Sequence, residues 1–130
     1  YDEFGEESTV IASLVKKGYN DKLLSVWGDG TPIRDFIHAE DVARGILMSY
    51  ENQITEPINL GSGDGVRIKD IASIVATHYG KEIEYDTTKP NGDNKRLMDM
   101  TRANSYGFYP EVDLETGIKR VIKYYESLQK

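Results

Sequence analysis

The sequence predicts an α/β fold in which short strands alternate with helices, and three observations predict it. Residues 67–79 and the stretch after Asp113 carry apolar side chains at helical spacing, Ile68, Ile71, Ala72 and Val75 in one and Ile118, Val121, Ile122 and Tyr125 in the other. Short β-patterned runs lie between the helical stretches and end in glycine turns, clearest where residues 23–27 run into Gly28-Asp29-Gly30. The 130 residues are enough for one core, and no linker, repeat or low-complexity tract divides them.

Taken in order, residues 8–17 are expected to be helical, with Val10, Ile11, Leu14 and Val15 on one face and Gly18 as a left-handed cap. Residues 23–27 are a strand, 28–32 a turn, and 33–38 a second strand with mixed faces. Residues 40–51 are a helix, expected to turn Val42, Ile46 and Leu47 inward. A short strand at 57–60 leads into Gly61-Ser62-Gly63-Asp64-Gly65, and the helix at 67–79 ends at Gly80. Residues 82–85 make another strand, Pro90-Asn91-Gly92 a turn, and 101–106 one or two helical turns. The last helix starts from an Asp113 cap.

Composition removes whole classes of chemistry. A net charge of −6 counts against a nucleic-acid binder, which needs a basic face. Without cysteine there is no disulfide, thiolate nucleophile or zinc knuckle. No run approaches the ~20 apolar residues of a membrane-spanning helix, and the acidic residues 1–7 do not resemble a targeting peptide. The expectation is a cytoplasmic chain with no membrane or nucleic-acid partner. No metal site is expected, since His38, Glu40 and Asp41 are close only in sequence and His38 reads as a hydrogen-bonded core histidine.

Two apparent motifs fail on physical grounds. Gly61-Ser62-Gly63-Asp64-Gly65-Val66 follows a strand and opens a helix, as a dinucleotide fingerprint does. However, its spacing is incomplete, and Val66 stands where close helix packing wants Gly or Ala, so a tight connection is the better reading. Tyr85 and Lys89 have Tyr-x-x-x-Lys spacing. Yet Lys89 precedes Pro90 and Tyr85 closes a β-patterned run, so no helix brings the two together. A third region holds up better. Trp27 ends a strand, a glycine turn follows, and Arg34 begins the next strand, while Lys89, Lys95 and Arg96 lie on a polar loop. A guanidinium is a planar fork suited to phosphate oxygens, and cations beside an aromatic in an acidic chain suit a small diphosphate. A surface pairing of Arg34 with Asp35 or Glu40, beside a solvated loop, is the competing reading.

This region also carries a resemblance. Trp27-Gly28-Asp29-Gly30-Thr31-Pro32-Ile33-Arg34-Asp35-Phe36-Ile37-His38-Ala39-Glu40-Asp41-Val42-Ala43, Ile58-Asn59-Leu60-Gly61-Ser62-Gly63, and Lys89-Pro90-Asn91-Gly92 through Lys95-Arg96-Leu97-Met98-Asp99 resemble the C-terminal half of extended short-chain dehydrogenase/reductases. These form the NAD-dependent epimerase/dehydratase family, and the chain is most similar to its GDP-L-fucose synthase branch. The resemblance implies that residues 1–130 are a single partial domain, a substrate-binding portion for a nucleotide-diphosphate sugar, with GDP-sugars favoured. It implies substrate-binding roles for Trp27, Arg34, Arg96, Asn91, Lys17 and Lys95, and no catalytic or cofactor-binding residue in this chain. NAD or NADP, with the catalytic Tyr and Lys, would belong to an N-terminal Rossmann half ahead of residue 1. Residues 35–61 would pack against that half, and alone they would leave an apolar face prone to self-association.

Two positions depart from the branch. Asn91 replaces a ligand-contacting Asp, which keeps hydrogen bonding and removes a charge. Thr9 replaces an acid/base histidine and cannot titrate near neutral pH. The resemblance therefore implies a related nucleotide-sugar epimerase, dehydratase or reductase, with a non-catalytic regulatory or interaction module as the alternative.

Overall fold

Apolar periodicity and caps decide where the elements of this computed structural model begin and end, over the described residues 9–129. The acidic start and Ser8, the first residue of the expected opening helix, lie outside them. The elements are α1 (Val10–Asn20), β1 (Leu23–Trp27), β2 (Ile33–Asp35), α2 (Ala39–Glu51), β3 (Gly65–Arg67), α3 (Ile68–Tyr79), β4 (Glu82–Asp86), α4 (Thr101–Ser105) and α5 (Leu114–Leu128). The expected alternation of short strands and helices is what forms. Gly80 closes α3 in the left-handed conformation at φ 62°, and the Asp113 carboxylate caps α5 by accepting from the Thr116 N–H at 2.8 Å.

The core sits on one face of a parallel pair, β1 with β4, in register from Leu23 opposite Glu82 to Trp27 opposite Asp86. Leu24 and Val26 point into it, and α1, α3 and α5 cover it with Leu14, Val15, Ile71, Val75, Ile118 and Ile122. Truncating a side chain so fully enclosed costs about 2–5 kcal/mol. Strands β2 and β3 form a separate antiparallel pair, Ile33 opposite Arg67 and Asp35 opposite Gly65. The segment around Lys95 joins the far side of β2 through one parallel bridge to Ile33.

Several expectations need correcting. Helix α1 continues to Asn20, and Gly18 is an interior residue, not a left-handed cap. A Cβ there would lie 2.7 Å from Tyr79 Cδ2 and 2.9 Å from Val75 Cγ1, so the glycine allows α1 and α3 to approach closely. The strand expected over 33–38 stops at Asp35, because the chain leaves the ladder and His38 becomes the N-cap of α2. Its Nδ1 accepts from the Glu40 N–H at 3.1 Å, which replaces the core-histidine reading. Residues 57–60 form no ladder among the described residues, although Ile58 and Leu60 pack on the small cluster of Met100, Ala103 and Phe108. Residues 65–67, read as turn and helix start, instead make β3.

The largest correction concerns α2, which turns Asp41 and Gly45 inward. A Cβ on Gly45 would strike Leu60 at 2.7 Å and Phe108 at 3.1 Å, and the buried Asp41 carboxylate accepts from the Glu111 and Val112 N–H groups, each at 3.0 Å. Ile46, Leu47 and Tyr50 are consequently 60%, 55% and 82% exposed. Among the described residues, no helix is long and apolar enough to cross a membrane, and no cluster of His, Asp and Glu could hold a metal ion.

Candidate functional site

Strand β1 delivers Trp27 to the edge of a glycine turn, and the indole is 60% exposed there. Gly28 and Gly30 take φ values of 80° and 75°, which L side chains rarely adopt. The turn is held from two directions. The Gly30 carbonyl accepts from the Lys69 N–H at 2.9 Å, which ties the turn to the start of α3. On the other side, Asn91 Oδ1 accepts from the Asp29 N–H at 2.9 Å. That side chain fills the space above Gly28, where a Cβ would lie 1.8 Å from Asn91 Oδ1. Asp29 accepts from the Thr31 hydroxyl and N–H, and these bonds hold its carboxyl below the ordinary value.

Strand β4 delivers the second half of the site. Beyond Asp86 the chain turns, with the Lys89 N–H on the Asp86 carbonyl, and Lys89 Nζ comes to lie 5.2 Å from the centre of the Trp27 ring. The chain then passes Asn91 and returns along β2: Ile33 N–H donates to the Asn94 carbonyl and Arg96 N–H to the Ile33 carbonyl, both at 2.9 Å. This pairing sets Arg96 beside Arg34. Arg34 Nη1 donates to the Ile33 carbonyl at 2.9 Å and to the Asp93 carbonyl at 2.7 Å. Arg96 donates to Asp93 Oδ2 from Nε at 2.6 Å and from Nη2 at 2.5 Å. Two guanidinium groups from different parts of the chain thus converge on one residue of the loop whose Lys89 lies over the open indole.

Of the residues singled out from sequence, the fold assembles Trp27, Arg34, Asn91 and Arg96 around this turn and loop. Lys95 lies on the same loop, and its ammonium has no hydrogen bond or ion pair among the described residues. Lys17 stands apart: its Nζ donates to the Ser25 carbonyl at 3.1 Å and has no bond to Arg34, Arg96 or Asp93. The surface pairing of Arg34 with Asp35 or Glu40 does not form, since Asp35 is engaged elsewhere and Glu40 pairs with Arg120 at 2.6 Å. Asp93 was not foreseen, although its i,i+3 spacing to Arg96 was available as a signal. The placement of Lys89 over Trp27 depends on the β1–β4 register, which no local pattern reveals.

The second glycine turn, 61–65, does no comparable work. Asp35 accepts from Ser62 N–H at 2.7 Å, Ser62 Oγ at 2.8 Å, Gly63 N–H at 2.8 Å and Met98 N–H at 3.2 Å. Burial pushes the Asp35 carboxyl up, but these bonds outweigh it and hold the group below its ordinary value. The amides that would cradle a dinucleotide pyrophosphate are already occupied by a carboxylate of the chain itself. These residues therefore do not fit that cofactor. Tyr85 lies within β4 and Lys89 beyond the following turn, so the second apparent motif is also no site.

The chain resembles known proteins over nearly its whole length. The model of the NAD dependent epimerase/dehydratase family matches residues 2–61. GDP-L-fucose synthase from Sinorhizobium fredii is 36% identical over 135 residues, covering 97% of this chain and 42% of that protein. The UDP-glucose 4-epimerase of Thermotoga maritima, solved with UDP-glucose, superposes with a TM-score of 0.81 at 27% identity, covering 99% of this chain and 42% of that one. A GDP-L-fucose synthetase from Naegleria fowleri bound to NADP superposes at 0.86, covering 95% and 42%; at 24% identity that likeness speaks for the fold. The chain spans about two-fifths of the length of the curated relatives it matches.

Proposed function

The chain belongs to the NAD dependent epimerase/dehydratase family, and from that premise we propose that it supplies the nucleotide-sugar-binding part of an NAD(P)-dependent epimerase, reductase or dehydratase. The observation that carries this reading is the convergence of Arg34 and Arg96 on Asp93, in the loop whose Lys89 lies over the exposed Trp27. Two charge-assisted forks a loop apart suit the two phosphates of a nucleoside diphosphate, and an exposed indole suits its base or sugar. Asn91 holds the turn that presents Trp27, and Lys95 adds unpaired positive charge at the rim. Lys17 supports β1, the strand that ends in Trp27, through the Ser25 carbonyl. The names of the relatives favour a GDP-sugar, while the UDP-glucose in the Thermotoga epimerase keeps UDP-sugars in view.

In this reading the cofactor, NAD or NADP, is held by the rest of the enzyme. The exposed Ile46, Leu47 and Tyr50 of α2 support packing of residues 35–61 against that remainder.

Calorimetric titration with GDP- and UDP-sugars tests the site. Arg34→Ala is expected to weaken binding by about 1.5–3 kcal/mol, the worth of a charged hydrogen bond. Unchanged affinity would remove Arg34 from the site. Thr9, an exposed N-cap residue with no side-chain cap bond, favours a second reading, a regulatory or interaction module without turnover. NAD(P)H-linked conversion of a nucleotide sugar by the full-length protein supports the enzyme, and binding without conversion supports the module.

A further inference from the structure

Asp93 touches both guanidinium groups of the proposed site, and its carboxylate holds that of Arg96 in the way an anionic ligand would. Its carbonyl takes Arg34 Nη1, and its Oδ2 takes Nε and Nη2 of Arg96. A phosphate oxygen accepting from Arg96 needs those same two donors, so carboxylate and phosphate exclude each other. The pair is also easily parted. The Asp93 and Arg96 side chains are 62% and 68% exposed, and such pairs are weak and screened by salt.

The loop is anchored on either side of this residue. Asn91 is fixed to the Asp29 N–H, and Asn94 and Arg96 are fixed to the Ile33 backbone. Gly92 lies between, at φ 78°, and a Cβ there would come 3.3 Å from Arg34 Nη2. Turning the Asp93 carboxylate away from Arg96 therefore breaks neither anchor.

We propose that Asp93 is an affinity-determining residue, a tethered competitor that a diphosphate must displace from Arg96. This rests on the reading of the site given above. The carboxylate lowers the affinity for any anion that needs Arg96, because parting the ion pair offsets part of the binding free energy. A diphosphate that also reaches Arg34 has further contacts with which to offset that cost.

The single tryptophan of the chain, Trp27, supplies a local probe. Full-length wild type, Asp93→Asn, Arg96→Gln and the double variant would be titrated with inorganic pyrophosphate and with GDP, following heat and, independently, the part of the tryptophan fluorescence that Trp27→Phe removes. Asp93→Asn is expected to tighten binding about three- to fivefold, the range of an exposed ion pair, and the gain should vanish in the Arg96→Gln background. Asp93→Ser is a second variant that leaves the anchors in place, and urea midpoints check that each protein is folded.

Equal or weaker binding by Asp93→Asn and Asp93→Ser, with Arg34→Ala still damaging, overturns the competitor and leaves the nucleotide-sugar reading standing. A gain that persists without Arg96 reduces the effect to general charge and also overturns it. Failure of both wild type and Asp93→Asn to bind either probe overturns the reading and the proposal together.

Discussion

Turn 61–65 and turn 28–32 are both rich in glycine, both precede a strand of the same small antiparallel pair, and both were candidates for phosphate chemistry. They differ in what holds their backbone. Asp35, half-buried, collects the amides of Ser62 and Gly63 from inside, so those amides are not open to a phosphate. Turn 28–32 is held by a neutral amide, Asn91, and its own Asp29 is satisfied by Thr31, so the positive charges of Arg34, Lys89 and Arg96 stay at the surface. Glycine spacing alone does not make an anion site. The deciding fact is how the carboxylate that claims the donors is itself held: Asp35 by three backbone amides and a hydroxyl, Asp93 by one exposed ion pair.

The comparison can be broken most severely at Asp35. Asp35→Ala would leave two turn amides and the Met98 N–H without their acceptor, and urea denaturation should show a loss of about 3 kcal/mol. A loss well under 1 kcal/mol would mean that water serves those amides equally well, and the two turns would then not differ in kind.

Acid should expose the same dependence. Asp35 and Asp41 are both pushed up by burial and held down more strongly by hydrogen bonds, the latter from Glu111, Val112 and Arg44, so both carboxyls lie below their ordinary value in the folded chain. Their unfolded value is about 3.9. A depressed folded pKa adds stability that is complete above the unfolded value and is lost as pH falls through the folded one. Urea midpoints should therefore hold from pH 7 to about pH 5 and drop below about pH 4, and Asp35→Asn should flatten that drop. A midpoint that stays level down to pH 3 would contradict it.

The smallest effect sharpens the other side. Asn91→Ala removes one exposed hydrogen bond to the Asp29 N–H and should cost only about 0.5–1 kcal/mol of global stability. Its local effect should be larger: faster proteolysis within 87–96 and a change in Trp27 emission as the loop leaves the turn. Unaltered proteolysis and emission would show that the bridge of residues 94–96 to Ile33 positions the loop without Asn91.

Much of the core side was legible in advance. The limits of β1, the stripes of α3 and α5, the Gly80 cap and the Asp113 cap all follow from local rules, because periodicity and capping are properties of a few consecutive residues. The departures lie where a distant neighbour, and not the local pattern, dictates a residue. Gly18 has the appearance of a helix end until Tyr79 and Val75 are placed against it. The inward face of α2 could not be inferred from apolarity, because Leu60 and Phe108 demand a glycine and the 109–112 loop demands a carboxylate at Asp41.

At the site, the residue types were visible and their arrangement was not. Arginine forks, an aromatic at a strand end and glycines needing positive φ can be identified from one dimension, since each follows from the chemistry of a side chain or the freedom of a backbone. The meeting of Arg34 with Arg96, the position of Lys89 over Trp27 and the engagement of both guanidinium groups by Asp93 arise from the β1–β4 register and the Ile33–Lys95 bridge. Those pairings join segments some sixty residues apart. Only the folded chain decides them, because the free energy that selects a register comes from the packed core and not from the residues that the register brings together.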